Sequence, residues 1–317
     1  MRATSVAEYV VPENGAPLVL QDGHLVAPGG RRVPIVRGIA RWVSGSNYAD
    51  SFGLQWSRYR RVQLDSVNGS TLTRDRFFEG TGWTVAELAG RRVLEAGCGA
   101  GRFSEVILAT GAVLRSFDYS VAVDAALENV GEHERWDVCQ ADIFAVPFAP
   151  ASFDFVFCYG VLQHTPDPRR ALLNLARYVR PGGRLAVDLY AVPAGLTKLA
   201  AKYWYRPITR RLPKKLLLRL FELYLPWWTP VDTALQYIPV IGAPLSVVVP
   251  CWNKSFLPLA PAHRREWTIL DTFDALSCEY DRPGTVADVR GWLEEAGLTD
   301  IDVREGGNGV LANARAR

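Results

Sequence analysis

The stretch Arg91–Ser104, RRVLEAGCGAGRFS, constrains this chain more than any other. Val93 and Leu94 supply a short apolar strand, Gly97, Gly99 and Gly101 follow at alternate positions, and Ser104-Glu-Val-Ile-Leu continues with helical character. Strand, tight turn and helix are thus packed into one segment, with glycines freeing the backbone where a side chain would obstruct it. A ligand can lie against bare main chain there, facing helix N–H groups. The spacing is G-x-G-x-G rather than the dinucleotide pattern G-x-G-x-x-G, and Glu95 stands just before it. A carboxylate at that point repels pyrophosphate and suits an ammonium group.

Twenty-one residues after Gly97, the short strand Val113–Phe117 ends at Asp118. An acid at the tip of the second strand of a βαβ unit commonly accepts hydrogen bonds from ribose hydroxyls. Gln140-Ala-Asp142-Ile-Phe144 is another strand end with an acid, followed by Pro147-Phe148. Phe153–Cys158 is a further strand, running into a loop through Tyr159 to His164.

Taken in order, E-x-G-x-G-x-G, strand-end Asp118, A-D142-x-x-x-x-P-F, F-D154-x-V, the L-x-H164 loop and R-P181-G182-G183 resemble the class I S-adenosylmethionine-dependent methyltransferases over about Val93–Leu189. The resemblance implies a Rossmann-like α/β fold with a seven-stranded sheet, parallel except for one antiparallel strand. It implies S-adenosylmethionine as cofactor and enzymatic methyl transfer. A relative of this fold that binds the cofactor without catalysis, or does N-methyl, C-methyl or non-methyl chemistry, remains the alternative.

At 317 residues the chain accommodates one large domain with appendages, and 49% hydrophobic with 22% charged residues marks it as globular. A net charge of +3 gives no general reason to bind nucleic acid. The five cysteines are scattered, odd in number and form no C-x-x-C pair, which fits a reducing cytoplasm and argues against a disulfide framework or a cysteine zinc site. No apolar segment follows a basic start, so no secretory signal is visible.

Residues 1–45 read as a β meander, punctuated by Asn14-Gly15, Asp22-Gly23 and Gly29-Gly30. Through R-x-V-P34-I-V-x-G38-I-x-R41-W42-V they resemble a zinc-ribbon-like module that precedes some of these methyltransferases. The thiols expected at Val11-Pro-Glu-Asn14 are absent, so no metal is predicted and the module is expected to hold by packing alone. Within residues 46–90, Tyr48–Phe78 is predicted helical, with Phe52, Trp56, Tyr59 and Gln63 at i, i+4, i+7 and i+11. The F-G-x-Q55-W56 string resembles the segment that lids the cofactor in similar enzymes.

The core is expected over residues 91–190, with strands near 92–96, 113–117, 137–141, 153–158 and 184–190 and helices near 102–109, 121–130 and 169–179. Alternation at this spacing implies a parallel sheet with right-handed crossovers, and Gly97, Asp118, Asp142 and Cys158 all fall at strand carboxyl ends.

Residues 191–265 depart from a minimal fold. Lys198–Arg219 contains eight bases and no acid, with Tyr203, Trp204 and Tyr205 interleaved. This run suits a solvated helical face, an anionic-substrate site or an interfacial helix on acidic lipid; peripheral membrane contact is therefore expected, if anywhere, through 198–228. Thr233–Asn253 is uncharged, but Pro239, Gly242, Pro244 and Pro250 argue against a membrane-spanning helix and favour a buried loop roofing the substrate cavity. Residues 266–317 should complete the core: a helix capped by Thr285 and stopped by Gly297, then strands at Asp300–Arg304 and Gly309–Ala314.

The resemblance assigns the cofactor site as follows. Gly97, Gly99 and Gly101 pass the methionine part, with Glu95 orienting the loop and the ammonium. Asp118 holds the ribose and Tyr119 lies against the adenine, whose edge Asp142 and Ile143 read. Cys158 and Tyr159 contribute main chain near the sulfonium, and Gln55 and Trp56 cover the cofactor. His164 is the first choice of general base, since its ordinary pKa of about 6.5 suits a hydroxyl; Asp188, Tyr190, His263 and Asp271 are weaker candidates. W-x-x-L-D271-x-F-D274 and E-A-G297 look like related enzymes of glycan and natural-product pathways, which implies O-methylation of a small-molecule or glycan acceptor.

Overall fold

The computed structural model describes residues 6–44, 47–193, 201–240 and 242–317. Lys198, one of the eight bases singled out above, and the first residues of the N-terminal module lie outside the described residues.

A meander of four short strands, β1 (Val19–Gln21), β2 (His24–Val26), β3 (Arg32–Val36) and β4 (Ile39–Arg41), begins the architecture. The remaining strands are β5 (Arg92–Ala96), β6 (Val113–Asp118), β7 (Trp136–Gln140), β8 (Phe153–Cys158), β9 (Val179–Tyr190), β10 (Thr299–Gly306) and β11 (Gly309–Arg315). They form one sheet in the order β1-β2-β3-β4-β7-β6-β5-β8-β9-β11-β10. β7, β6, β5, β8 and β9 run parallel, and β11 inserts antiparallel between β9 and β10. This is the Rossmann-like α/β fold that the resemblance implied, its seven strands β7-β6-β5-β8-β9-β11-β10 extended at one edge by the meander. The order reverses between β5 and β8, where a crevice opens at the carboxyl edge.

The central strands are buried on both faces and mainly apolar, with paired polar groups such as Glu95–Ser116 between them. Alternate residues divide between two cores. Val93, Leu114, Val138, Phe155 and Phe157 pack with the helices Arg102–Ala109 and Ala122–Val130, joined by Phe77 and Trp83. Leu94, Phe117, Cys139 and Val156 face the helices Pro168–Ala176 and Val286–Glu295. Asp167 caps the first of these and Thr285 the second, the latter in a full capping box with Asp288.

Three expectations are corrected. Tyr48–Phe78 is not one helix but three, Asp50–Arg58, Asp65–Asn68 and Leu72–Thr81: turns through Tyr59–Leu64 break the first, and Gly69 at φ 71° ends the second, where Asp65 caps the third. Most of Thr233–Asn253 is not a buried roof, and of its described residues only Trp252, near its end, reaches the cavity. The segment continues the long helix Lys214–Gln236 into an exposed apolar return through Tyr237, Val240 and Val248. The basic run is not uniformly solvated: Lys202 and Arg206 are buried against Asp281, and Lys214 donates to the carbonyls of Arg210 and Ser277.

Two boundaries also move. The helix Pro261–Ser277 belongs with the insertion, because Trp267, Leu270, Phe273 and Leu276 share a core with Leu217, Phe221 and Leu225. The N-terminal meander is continuous with the central sheet, since β4 pairs parallel with β7 through Ala40–Cys139 and Arg41–Gln140. Ladder hydrogen bonds therefore add to packing in holding it.

Just before that meander, Glu8 pairs with Arg92 at 2.7 Å and with buried Arg115, while the Tyr9 hydroxyl donates to Asp137 at 3.0 Å. Burial opposes the Glu8 charge, but Arg115 and Arg92 outweigh it and hold the carboxyl below its ordinary value. A depressed carboxyl stabilises the fold above its ordinary pKa, and that stabilisation is lost as pH falls through the lower folded value. Glu8→Ala should thus lower the melting temperature at pH 7, at a cost of about 1–3 kcal/mol given its partial exposure. The difference from the parent should shrink in melts below about pH 4.

Candidate functional site

A cavity of about 870 Å³ opens at the switch point, between the carboxyl ends of β5, β6, β8 and β9 and the insertion. That volume falls within the range of about 300–1,000 Å³ typical of small-molecule sites.

One half is built by the glycine loop. Gly97 has φ 78°, and a Cβ there would stand 2.1 Å from the Val161 side chain; Gly99 has φ 52° and faces the Trp56 indole. Gly97 requires glycine for conformation and for space; Gly99 requires it for conformation, with Trp56 close beside it. The loop is tied to the neighbouring strand: the Gly99 amide donates to Asp118 at 2.9 Å, and the Ser120 amide and hydroxyl donate to the other carboxylate oxygen at 2.8 and 2.7 Å. Burial raises the Asp118 pKa, and these three donors hold it back. Tyr119 stacks on Tyr48 with ring centroids 4.6 Å apart, and Tyr280 meets Tyr48 edge-on, which makes an aromatic border beside Asp118.

Gly97, Gly99, Asp118, Tyr119, Ile143, Tyr159, Gln55, Trp56 and His164 line the cavity. Four other predicted residues do not. Glu95 is buried beneath the loop, where it accepts the Ser104 hydroxyl at 2.5 Å and the Ser116 hydroxyl at 2.7 Å. Burial pushes its carboxyl up to about 7, and it braces the turn from below rather than facing the cavity. Gly101 caps the helix Arg102–Ala109 at φ 87°, and a Cβ there would press on Val130 and Ala126, so its role is helix packing. Cys158 is fully buried in the sheet; Tyr159 and Gly160, next along the chain, reach the cavity instead. Asp142 turns its carboxylate back to the Phe144 amide at 2.9 Å, leaving Ala141 and Ile143 on the wall.

The structure adds two cations that the sequence reading missed. Arg102 donates to Gln63 at 2.5 Å and lies over the Phe103 and Trp267 rings; burial, then the charge of nearby Arg76, pushes it down to about 9. Arg76 pairs with Asp188 at 2.7 Å, and Asp188 also accepts the Gly160 amide. Asp188 therefore sets the turn after β8 from behind and is not itself on the wall. The signal for Arg102 was its place directly after the third glycine. Arg76, in a helix of no clear amphipathic pattern, left none.

The other half centres on His164 and Asp274. The His164 Nδ1 atom lies 3.1 Å from the Tyr280 carbonyl, which fixes that nitrogen as the donor and turns Nε2 towards Asp274 at 3.9 Å. Phe52 and Tyr190 enclose the ring. Burial works against a charged imidazole, but Cys278, Asp274 and the Tyr280 carbonyl outweigh it and push His164 up to about 9. Asp274 also accepts from Gln55 at 3.2 Å and from the Tyr190 hydroxyl at 3.4 Å. Beyond this group stand Trp252, Trp267 and the Lys254–Asp271 pair at 2.7 Å. Of the weaker base candidates, Tyr190 and Asp271 line the cavity, whereas Asp188 and His263 do not. Among the described residues, no three His, Cys, Asp or Glu side chains are grouped to hold a metal.

Residues 94–187 match a family model described as a methyltransferase domain. Over 101 residues the chain is 35% identical to a ubiquinone biosynthesis O-methyltransferase of Coxiella burnetii, covering 31% of this chain and 43% of that protein. Over 139 residues it is 37% identical to the enzyme of the same name from Xanthomonas euvesicatoria, covering 41% of this chain and 56% of that protein. The chain thus spans about half the length of the curated relatives it matches. A phosphoethanolamine N-methyltransferase 2 of Haemonchus contortus, solved with S-adenosylmethionine, is similar at 15% identity and a TM-score of 0.47, over 82% of this chain and 46% of that one.

The cofactor of such a domain is S-adenosylmethionine, and the cavity fits it on three observations. Two glycines bare the backbone, Asp118 stands at the tip of the second core strand, and the Arg102 Nε is buried without a hydrogen-bond partner. Asp118→Ala should weaken S-adenosylmethionine by about 10–100-fold in calorimetric titration, the worth of a hydrogen bond to a charged acceptor. An unchanged affinity would remove Asp118 from the cofactor site.

Proposed function

The chain carries a class I S-adenosylmethionine-dependent methyltransferase domain, and from that premise we propose that it methylates a hydroxyl oxygen of a small organic acceptor, a sugar, glycan precursor or natural product. The bound cofactor supplies an electrophilic methyl on a sulfonium. The protein's own task is to align the oxygen with it and to receive the proton, and alignment is itself worth several kcal/mol.

Gly97 and Gly99 would offer main chain to the methionine part, Asp118 would hold the ribose hydroxyls, and Arg102 would meet the carboxylate. His164 carries the proposal. It sits on the same cavity as the glycine loop, with Nδ1 committed to the Tyr280 carbonyl and Nε2 left for a substrate proton. Asp274 lies where it can stabilise the imidazolium that results. The aromatic wall of Tyr190, Trp252 and Trp267 suits stacking against a sugar or an aromatic ring. The oxygen specificity in the name of the matched relatives supports the same reading.

With His164 pushed up to about 9, most of it is protonated at neutral pH, and the basic form grows as pH rises. Once an acceptor is in hand, kcat/KM should climb with pH and level off near 9. His164→Ala should lower kcat by about 10²–10⁴-fold and flatten that limb, while calorimetric affinity for S-adenosylmethionine stays within about twofold. Unchanged turnover in this variant would exclude His164 as the base.

A further inference from the structure

We propose that the outward face of the insertion docks on an anionic lipid surface. The helix Lys214–Gln236 is apolar on two sides. Its inner side, Leu217, Leu218, Phe221 and Leu225, packs into the insertion's own core. Its outer side repeats Leu216, Leu220, Leu223, Trp227 and Val231, at spacings of three and four residues, all exposed. This stripe runs for over 20 Å along the helix. An uncharged return extends it, in which Tyr237 and Val240 are 74% and 91% exposed.

Charge identifies the occupant. Both acids of the helix face inward: Glu222 is held by Arg58 at 3.0 Å and Tyr59 at 2.7 Å, and fully buried Asp232 accepts from Gln236, Ser246 and Asn253. Arg211, Lys215 and Arg219, by contrast, are exposed beside the stripe. Residues 201–253 therefore present apolar and basic side chains outward and no exposed acid. An isologous contact would set this face against an identical one, base to base with no acid to pair them. The apolar groups also protrude, with Trp227 at 80% and Leu223 at 70% exposure, unlike the flat, polar-rimmed patch of a protein interface. Protruding Trp, Tyr and Leu flanked by Lys and Arg match the headgroup boundary of a bilayer. No helix among the described residues is long and apolar enough to cross a membrane, so the contact lies on the surface.

The face adjoins the cavity. Tyr203 lines it, and its neighbours Trp204 and Tyr205 are exposed. The proposal stands independently of methyl transfer and needs no acceptor to test. The full chain should co-sediment with mixed phosphatidylglycerol–phosphatidylcholine vesicles at low salt, and far less with phosphatidylcholine alone or at high salt. Leu223→Ser with Trp227→Ser, and separately Lys215→Glu with Arg219→Glu, should each cut vesicle binding by roughly tenfold, with melting temperature unchanged because all four side chains are exposed. The proposal fails if the parent does not sediment with anionic vesicles, or if neither variant reduces binding. It fails equally if light scattering shows a dimer that the Leu223→Ser, Trp227→Ser variant dissolves, for then a second copy covers the face.

Discussion

The site depends on a carboxylate at one strand tip holding the loop that leaves the next strand. Asp118 at the end of β6 accepts the Gly99 amide with one oxygen and the Ser120 amide and hydroxyl with the other. Both of its oxygens are thereby oriented by the main chain before any ligand arrives. At the turn's start Gly97 adopts φ 78° against Val161, where a Cβ would not fit. Beneath the turn, Glu95 ties Ser104 of the following helix to Ser116 of β6. Two acids, one lining the cavity and one below it, thus fix a loop whose glycines give it no rigidity of its own.

The same economy of buried acids recurs around the cavity. Asp188 joins Arg76 to the turn at Gly160, and Asp274 joins Gln55, Tyr190 and His164. Burial raises the pKa of each, and each is answered by a cation or by N–H donors rather than left alone. The result is a pocket with fixed dipoles at both ends, which suits a reaction whose protein contribution is orientation and placement of charge.

The α/β core was legible because its signals are local. The core strands read as short, largely apolar runs bounded by turn residues, and Asp167, Thr285 and Gly297 mark helix ends by chemistry that acts within a few residues. The glycine spacing likewise located the turn. It could not tell which glycine faces the ligand: Gly101 faces Val130, a contact set by a helix nearly thirty residues away. Glu95 failed as a ligand contact for the same reason, since only the sheet register turns it towards Ser116. Asp274 was visible only as part of a string, because its partners Gln55, His164 and Tyr190 come from three distant segments. The basic run was misread where long-range acids intervene, as Asp281 does for Lys202 and Arg206.

The insertion is where composition and position had to be separated. Its bases and its apolar residues are mingled along the chain, but folding sorts them: Lys202, Arg206 and Lys214 turn inward to acids and carbonyls, while Arg211, Lys215 and Arg219 stay out beside Leu223 and Trp227. The helix Pro261–Ser277 stands between that outward face and the cavity. It contributes Phe273 and Leu276 to the core that carries Lys214–Gln236, and Asp271 and Asp274 to the wall facing His164. Phe273 and Asp274 are adjacent residues of one helix, so the core beneath the docking face and the carboxylate beside the candidate base are held by a single rigid element.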